Sequence, residues 1–191
     1  MQQILSGANA HREIENILKS LNSKKVMLVC DSAFGFLQIK DYFDSLDIPK
    51  VVFSDFTVNP LYEDVCKGVE LFNGEKCDAI VAVGGGSTID VAKCIKLFCK
   101  MDSTQNYLQQ EFLDTEIPLI ALPTTAGTGS ESTRYAVIYY KGEKQSITSN
   151  SIIPDFAVLE PSVLKTLPVY QKKCTLLDAL CQAIESWWSV N

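Results

Sequence analysis

Ala79-Ile80-Val81-Ala82-Val83-Gly84-Gly85-Gly86-Ser87-Thr88-Ile89-Asp90 is the stretch that decides the fold. Its first five residues form an uninterrupted apolar run of strand length, apolar on both faces as a strand inside a parallel sheet must be. Beyond the glycines, Ile89, Ala92, Ile95 and Phe98 recur at helical spacing, with Lys93, Lys96 and Lys100 on the wet side. Three glycines between a strand and a helix let the backbone approach a diphosphate closely. The helix N-terminus then offers unpaired N–H groups and partial positive charge. Ser87 and Asp90 fall at the N-cap and third helical positions, close to a capping box. The competing reading is a tight strand-to-helix turn with an ordinary cap.

Working outward, Val26–Cys30, Val51–Phe53 and Leu119–Leu122 repeat the continuous apolar run, and Phe34–Leu46 and Leu61–Phe72 carry helical spacing between them. Strand and helix therefore alternate, which predicts a doubly wound α/β fold with a mostly parallel sheet and ligands beyond the carboxyl ends of its strands. A second loop, Pro123-Thr124-Thr125-Ala126-Gly127-Thr128-Gly129-Ser130-Glu131, follows the Leu119–Leu122 run with four hydroxyls and two glycines. Alone it could be an irregular connection. Beside the first loop it points to a phosphate or ribose site. Ala136–Tyr140 and Lys144–Thr148 around Lys141-Gly142-Glu143 predict a β-hairpin, and Phe156–Leu159 one more strand. Thr175–Ser189 predicts an amphipathic helix with Leu177, Leu180, Ile184 and Trp187 on one face.

Composition bounds the function. A chain of 191 residues holds one domain, or one domain and the start of another, and 47% hydrophobic against 21% charged residues excludes a disordered chain. A net charge of −6 argues against a large basic surface for nucleic acid or anionic lipid, leaving small molecules and proteins as partners. No apolar run approaches the ~18–20 residues of a membrane helix. Met1-Gln2-Gln3-Ile4-Leu5 lacks the pattern of a signal peptide, so a cytoplasmic location is expected. None of the seven cysteines forms a C-x-x-C pair, which gives no support to a zinc ribbon or thioredoxin-like chemistry, and most of them read as small buried hydrophobes in a reducing compartment. His11 is the only histidine, which excludes any mechanism needing two within this chain.

Gly84-Gly85-Gly86-Ser87-x-x-Asp90-x-x-Lys93, the Pro123–Glu131 loop and Asp178-Ala179-Leu180-x-x-Ala183-Ile184-Glu185 together resemble the iron-dependent (group III) alcohol dehydrogenases. Phe56-x-x-Asn59-Pro60 and Pro154-Asp155 fit the same order and spacing. The resemblance implies a Rossmann-like NAD(P)-binding α/β domain over residues 1–168. Residues 169–191 would be the start of an all-helical domain, with a divalent metal, iron or zinc, in the cleft between the two. It implies Gly84, Gly85, Gly86, Ser87 and Asp90 at the pyrophosphate loop, Thr124, Thr125, Thr128 and Ser130 along the cofactor, and Lys144 near a ribose. Asp31 would face the adenosine ribose; a carboxylate there accepts from a 2′-hydroxyl and repels a 2′-phosphate, favouring NAD over NADP. A turn-forming aspartate is the other reading.

Asp178 and Gln182 match the first two of four metal ligands, with Gln182 standing where the family has histidine. A neutral amide is a poorer ligand than imidazole for iron or zinc, and a solvated helix stripe is the alternative. Ser132-Thr133-Arg134-Tyr135-Ala136, Lys144-x-Ser146 and Glu185-Ser186-Trp187-Trp188-Ser189-Val190-Asn191 are similar to the phosphonoacetaldehyde reductase branch, which implies Arg134 as a partner for a dianionic substrate group. The activity implied is reversible reduction of a small aldehyde to an alcohol, with little turnover expected from this length of chain. A non-catalytic NAD-binding module is the rival, and glycerol dehydrogenase and dehydroquinate synthase relatives share the architecture. By analogy with the family, a homodimer could form, with Gln2–Leu5 pairing across it.

Overall fold

A computed structural model describes residues 1–189. Val190 and Asn191, which close both the 169–191 segment and the Glu185–Asn191 match, lie outside them. In chain order the elements are β1 (Gln3–Ser6), α1 (Glu13–Ser20), β2 (Val26–Cys30), α2 (Lys40–Asp44), β3 (Lys50–Phe53), α3 (Tyr62–Gly74) and β4 (Ala79–Gly84). They continue as α4 (Gly86–Phe98), β5 (Leu119–Pro123), β6 (Tyr135–Tyr140), β7 (Glu143–Thr148), β8 (Phe156–Leu159) and α5 (Val169–Trp188).

Six strands form one sheet in the order β1-β8-β5-β4-β2-β3, every pair parallel. The chain steps from β2 outward to β3, then returns past β2 to β4 and proceeds the other way, so strand order reverses between β2 and β4. In an open parallel sheet that switch point leaves a crevice at the carboxyl ends of the two strands. Side-chain alternation divides the interior into two cores. Met27, Val29, Ile80 and Ala82 meet Val65, Val69 and Phe72 of α3 and Ile89, Ala92 and Ile95 of α4. Val26, Leu28, Val81 and Val83 meet Ile14 and Leu18 of α1 and Phe43 of α2 on the other face. The β6–β7 hairpin is antiparallel and adds Ala136, Ile138 and Ile147 to the first core.

Two local expectations are corrected. Phe34–Leu46 is not one helix: a 3-10 turn over Ser32–Phe36, capped by the Asp31 side chain, ends where Leu37 turns extended, and only the short α2 follows. Lys93 and Lys96 are not on a wet face; they are 0% and 2% exposed, because the hairpin and the start of β8 cover that side of α4. Lys96 Nζ donates to Asp155 Oδ2 at 2.9 Å, and the same oxygen accepts from Leu119 N at 2.8 Å, so Pro154-Asp155 serves the scaffold. The Gln2–Leu5 stretch overlaps β1, an edge strand that pairs in parallel with β8 on one side only.

His11 is buried. Its Nδ1–H donates to Glu160 Oε2 at 2.8 Å, tying the turn after β1 to the end of β8. Burial alone would push the Glu160 carboxyl up, but hydrogen bonds from Ser162 and His11 outweigh it and hold the pKa down at about 2. On acidification the unfolded carboxyl, near 4.5, takes its proton first, so this group's contribution to stability is complete above about pH 4.5 and is lost as pH falls toward about 2. Urea unfolding should therefore find Glu160→Gln less stable than the wild type at pH 7, with the gap narrowing at pH 3.

Candidate dinucleotide and active site

Asp31 stands at the carboxyl end of β2, across the switch point from the glycine turn after β4. Its Oδ1 accepts from Ala33 N at 2.9 Å and its Oδ2 from Thr88 Oγ1 at 3.1 Å. The three glycines serve three different ends. A Cβ on Gly84 would lie 2.3 Å from Thr88 Oγ1, so Gly84 is the seat of a buried side chain; one on Gly85 would touch Thr125 Cγ2 at 3.5 Å; one on Gly86 would meet nothing within 4 Å. Gly86 is also the one of the three that is exposed.

The expected cap is also corrected. Gly85, extended at φ −78 and ψ −171, is the N-cap of α4 and provides no side-chain hydrogen bond, so Ser87 is the second helical residue and Asp90 the fifth. The first N–H groups of this 13-residue helix are left without a capping side chain. Asp90 faces the next loop, accepting from Ser130 Oγ at 2.8 Å and Val137 N at 3.1 Å. Burial pushes its carboxyl up, against the opposing pull of those two donors and of Lys93.

The second loop is fastened to the first. Thr124 N donates to the Gly84 carbonyl at 2.9 Å, and beyond Gly129 a 3-10 turn over Ser130–Ser132 leads into β6. Two cavities, ≈ 130 and ≈ 220 Å³, share Gly86, Thr128 and Ser130 in their walls. The first also reaches Thr125 and Asp178, the second Asp90, Thr133 and Gln182. A third, ≈ 260 Å³, continues past Thr125 to Glu160 and Leu164. A larger cavity of ≈ 430 Å³ opens at the amino ends of the strands beside Asp78, Glu116 and Asp155. Two of these carboxylates hold the scaffold, Asp78 by accepting from Ser23 and Lys24 and Asp155 from Lys96 and Leu119, and all three would repel a diphosphate.

Of the residues singled out from sequence, Gly86, Asp90, Thr125, Thr128 and Ser130 wall the connected cavities, with Asp178 and Gln182 entering from α5. Gly84, Gly85, Ser87, Thr124 and Asp31 lie at the adjoining strand ends. Lys144 is exposed on β7 opposite Tyr139, and Arg134 is exposed with its guanidinium 5.4 Å from the Tyr135 ring centre. Neither is among the residues lining these cavities. Among the described residues no three His, Cys, Asp or Glu side chains stand close enough to hold a metal. Asp178 and Gln182, both exposed, offer one carboxylate and one amide, short of the three or four ligands a bound transition metal takes. The described residues therefore do not fit a metal on their own.

Two groups escaped the sequence reading of the site. Thr88 is spaced like any helical residue, and only the contact with Gly84 shows its role. Lys93 lies one turn after Asp90, its Nζ donating to Tyr135 O at 2.8 Å, Thr133 Oγ1 at 3.0 Å and Ser130 Oγ at 3.5 Å.

A doubly wound parallel sheet with glycine and hydroxyl loops at its switch point is a Rossmann-like α/β architecture. The chain belongs to the iron-containing alcohol dehydrogenase family, whose sequence pattern matches residues 2–161. It is 39% identical over 136 residues to the probable alcohol dehydrogenase EutG of Escherichia coli, covering 69% of this chain and 34% of that protein. It is 31% identical over 189 residues to the NAD-dependent methanol dehydrogenase of Bacillus methanolicus, covering 95% and 50%. The crystal structure of sulfoacetaldehyde reductase from Bifidobacterium kashiwanohense in complex with NAD+ superposes with a TM-score of 0.88 at 31% identity, over 98% of this chain and 52% of that one. The chain thus spans between a third and a half of the length of these relatives.

Burial lowers the Lys93 ammonium to about 8 from an ordinary 10.5. Between those values the unfolded chain binds the extra proton, so this residue's contribution to stability rises as pH increases from about 8 toward 10.5. Denaturant unfolding of wild type and Lys93→Met across that range should show the difference shifting in favour of the wild type as pH increases.

Proposed function

We propose that this chain is the NAD(H)-binding part of an alcohol and aldehyde oxidoreductase. The observation that carries the reading is the convergence at one switch point of an uncapped helix N-terminus, an open Gly86 and the Thr124–Ser130 loop. Such an N-terminus suits a pyrophosphate, whose oxygens accept from the free N–H groups of α4 and from the Thr125 and Thr128 hydroxyls. Asp31 accepts from the adenosine ribose and disfavours a 2′-phosphate, and NAD is the preferred cofactor. Bound there, the nicotinamide supplies hydride chemistry. The chain's own contribution is to fix the dinucleotide along the crevice and to shield its diphosphate from water.

Residues 1–168 form the nucleotide-binding unit in this reading, and α5 opens a helical unit that brings Asp178 and Gln182 to the cavity wall. A small aldehyde with an anionic group is the substrate class we favour. The likeness to a sulfoacetaldehyde reductase supports it, and Arg134, one residue from the cavity-lining Thr133 and Tyr135, supplies a cation. The phosphonoacetaldehyde branch and a homodimer are part of the same proposal.

A second reading, a nucleotide-binding module without turnover of its own, is favoured by Gln182 and by the lack of a three-donor cluster among the described residues. Aldehyde-dependent NADH consumption with added ferrous or zinc ion tests the two: turnover overturns the module, whereas saturable NADH binding without turnover is the outcome both readings expect of this length of chain.

The binding site itself has a direct test. Gly86→Asp places a carboxylate at the first turn of α4, where it suits the helix dipole but repels a diphosphate. The variant should melt within a few degrees of the wild type while its Kd for NADH rises at least about tenfold, or ~1.4 kcal/mol. Unchanged binding, followed by nucleotide fluorescence, would remove the pyrophosphate from this turn.

A further inference from the structure

Thr88 stands apart from the other hydroxyls of the two loops because it alone among them is buried. It is the third residue of α4 and 1% exposed, pressed between the Gly84 backbone and the Asp31 carboxylate. Its branched side chain has few rotamers to choose from, and the space it occupies is one that only a glycine at 84 leaves free. In that seat its hydroxyl donates to Asp31 Oδ2 at 3.1 Å, while Ala33 N holds Oδ1 at 2.9 Å. One donor on each oxygen fixes the carboxylate in both position and rotation, and each oxygen keeps a lone pair for a further donor.

We infer that Thr88 is a positioning residue for cofactor choice: by clamping the Asp31 carboxylate at the switch point, it holds the negative charge where a ribose diol can donate to it and a 2′-phosphate cannot approach. This rests on the reading that the adenosine ribose reaches Asp31. Without Thr88 only the Ala33 N–H restrains the carboxylate. The aspartate can then rotate aside, weakening its bonds to the diol and relieving its repulsion of the phosphate. Discrimination is a difference of two affinities, so a loosened carboxylate lowers it from both sides.

The test is titration of the wild-type chain, Thr88→Val, Thr88→Ser, Asp31→Ala and the Thr88→Val/Asp31→Ala double variant with NADH and with NADPH, following nucleotide fluorescence, with thermal melts as the check on folding. The expected result is that Thr88→Val, which fills the same space without a donor, lowers the NADH preference about fivefold to tenfold, a shift of ~1–1.4 kcal/mol in relative affinity. Thr88→Ser, which keeps the hydroxyl, retains the preference, and in the Asp31→Ala background Thr88→Val changes it no further. If Thr88→Val folds poorly, Thr88→Ala reads the same loss of donor. Wild-type preference in a folded Thr88→Val alongside lost preference in Asp31→Ala overturns the role of Thr88 and leaves the ribose reading standing. Preference unchanged in Asp31→Ala, or no NADH binding by the folded wild type, overturns the ribose reading and the role of Thr88 with it.

Discussion

β4 is buried along all six of its residues and paired on both edges, with β2 and β5. A strand in that position cannot carry a polar side chain without a partner inside the core, and its backbone groups are already committed to the two ladders. Chemistry is therefore confined to the two ends of the sheet. At the amino end Asp78 is spent on the Ser23–Lys25 turn. At the carboxyl end the glycines, the Thr124–Ser130 loop and Asp31 converge, because the strand order reverses between β2 and β4 and the chain leaves the two strands in opposite directions.

The strands were readable because two-sided burial writes itself as continuous Val, Ile, Leu and Ala, and the 26–30, 79–83 and 119–122 runs match their elements to within a residue. The helix after β4 was readable in kind and misread at its start. Ser87 has the chemistry of a cap, but the chain turns one residue beyond β4 and Gly85 takes that position. Periodicity failed for Lys93 and Lys96 for a different reason. It assigns lysine to water, whereas here the hairpin and Asp155 come from 42 and 59 residues further along the chain to receive the two ammonium groups. The loops of the candidate site could be named from their glycine and hydroxyl content; the Thr88 to Asp31 bond, spanning 57 residues, could not.

α5 shows the limit of local pattern in the opposite direction. Its amphipathic stripe was legible and its helix forms, starting six residues earlier than the stripe suggests, yet none of its 20 residues is buried. Trp187 and Trp188 are 85% and 78% exposed, and Leu176, Leu177, Leu180 and Ile184 lie open with them. Most helical stability in proteins comes from packing of the apolar face rather than from propensity. Where the helix passes the second loop, Thr175 stands beside Gly127, and Asp178, one turn further on, shares a cavity wall with both.

The buried lysine of α4 explains how a loop so rich in glycine and hydroxyls keeps one shape. An ammonium has three protons, and Lys93 directs them to Ser130 and Thr133 in the segment after β5 and to Tyr135 O at the start of the hairpin. Asp90, one turn earlier, takes the Ser130 hydroxyl proton and the Val137 N–H. A single helix face thus holds both ends of the Ser130–Val137 segment through charged partners, whose hydrogen bonds are roughly twice as strong as neutral ones. Burying those charges is costly. What it gives in return is a fixed rim for the crevice, and a binding loop already ordered loses less entropy when its ligand arrives. The same burial that depresses the Lys93 ammonium is therefore the condition for a preorganised site: were the lysine solvated, its bonds to the segment would compete with water, and the rim would be free to open.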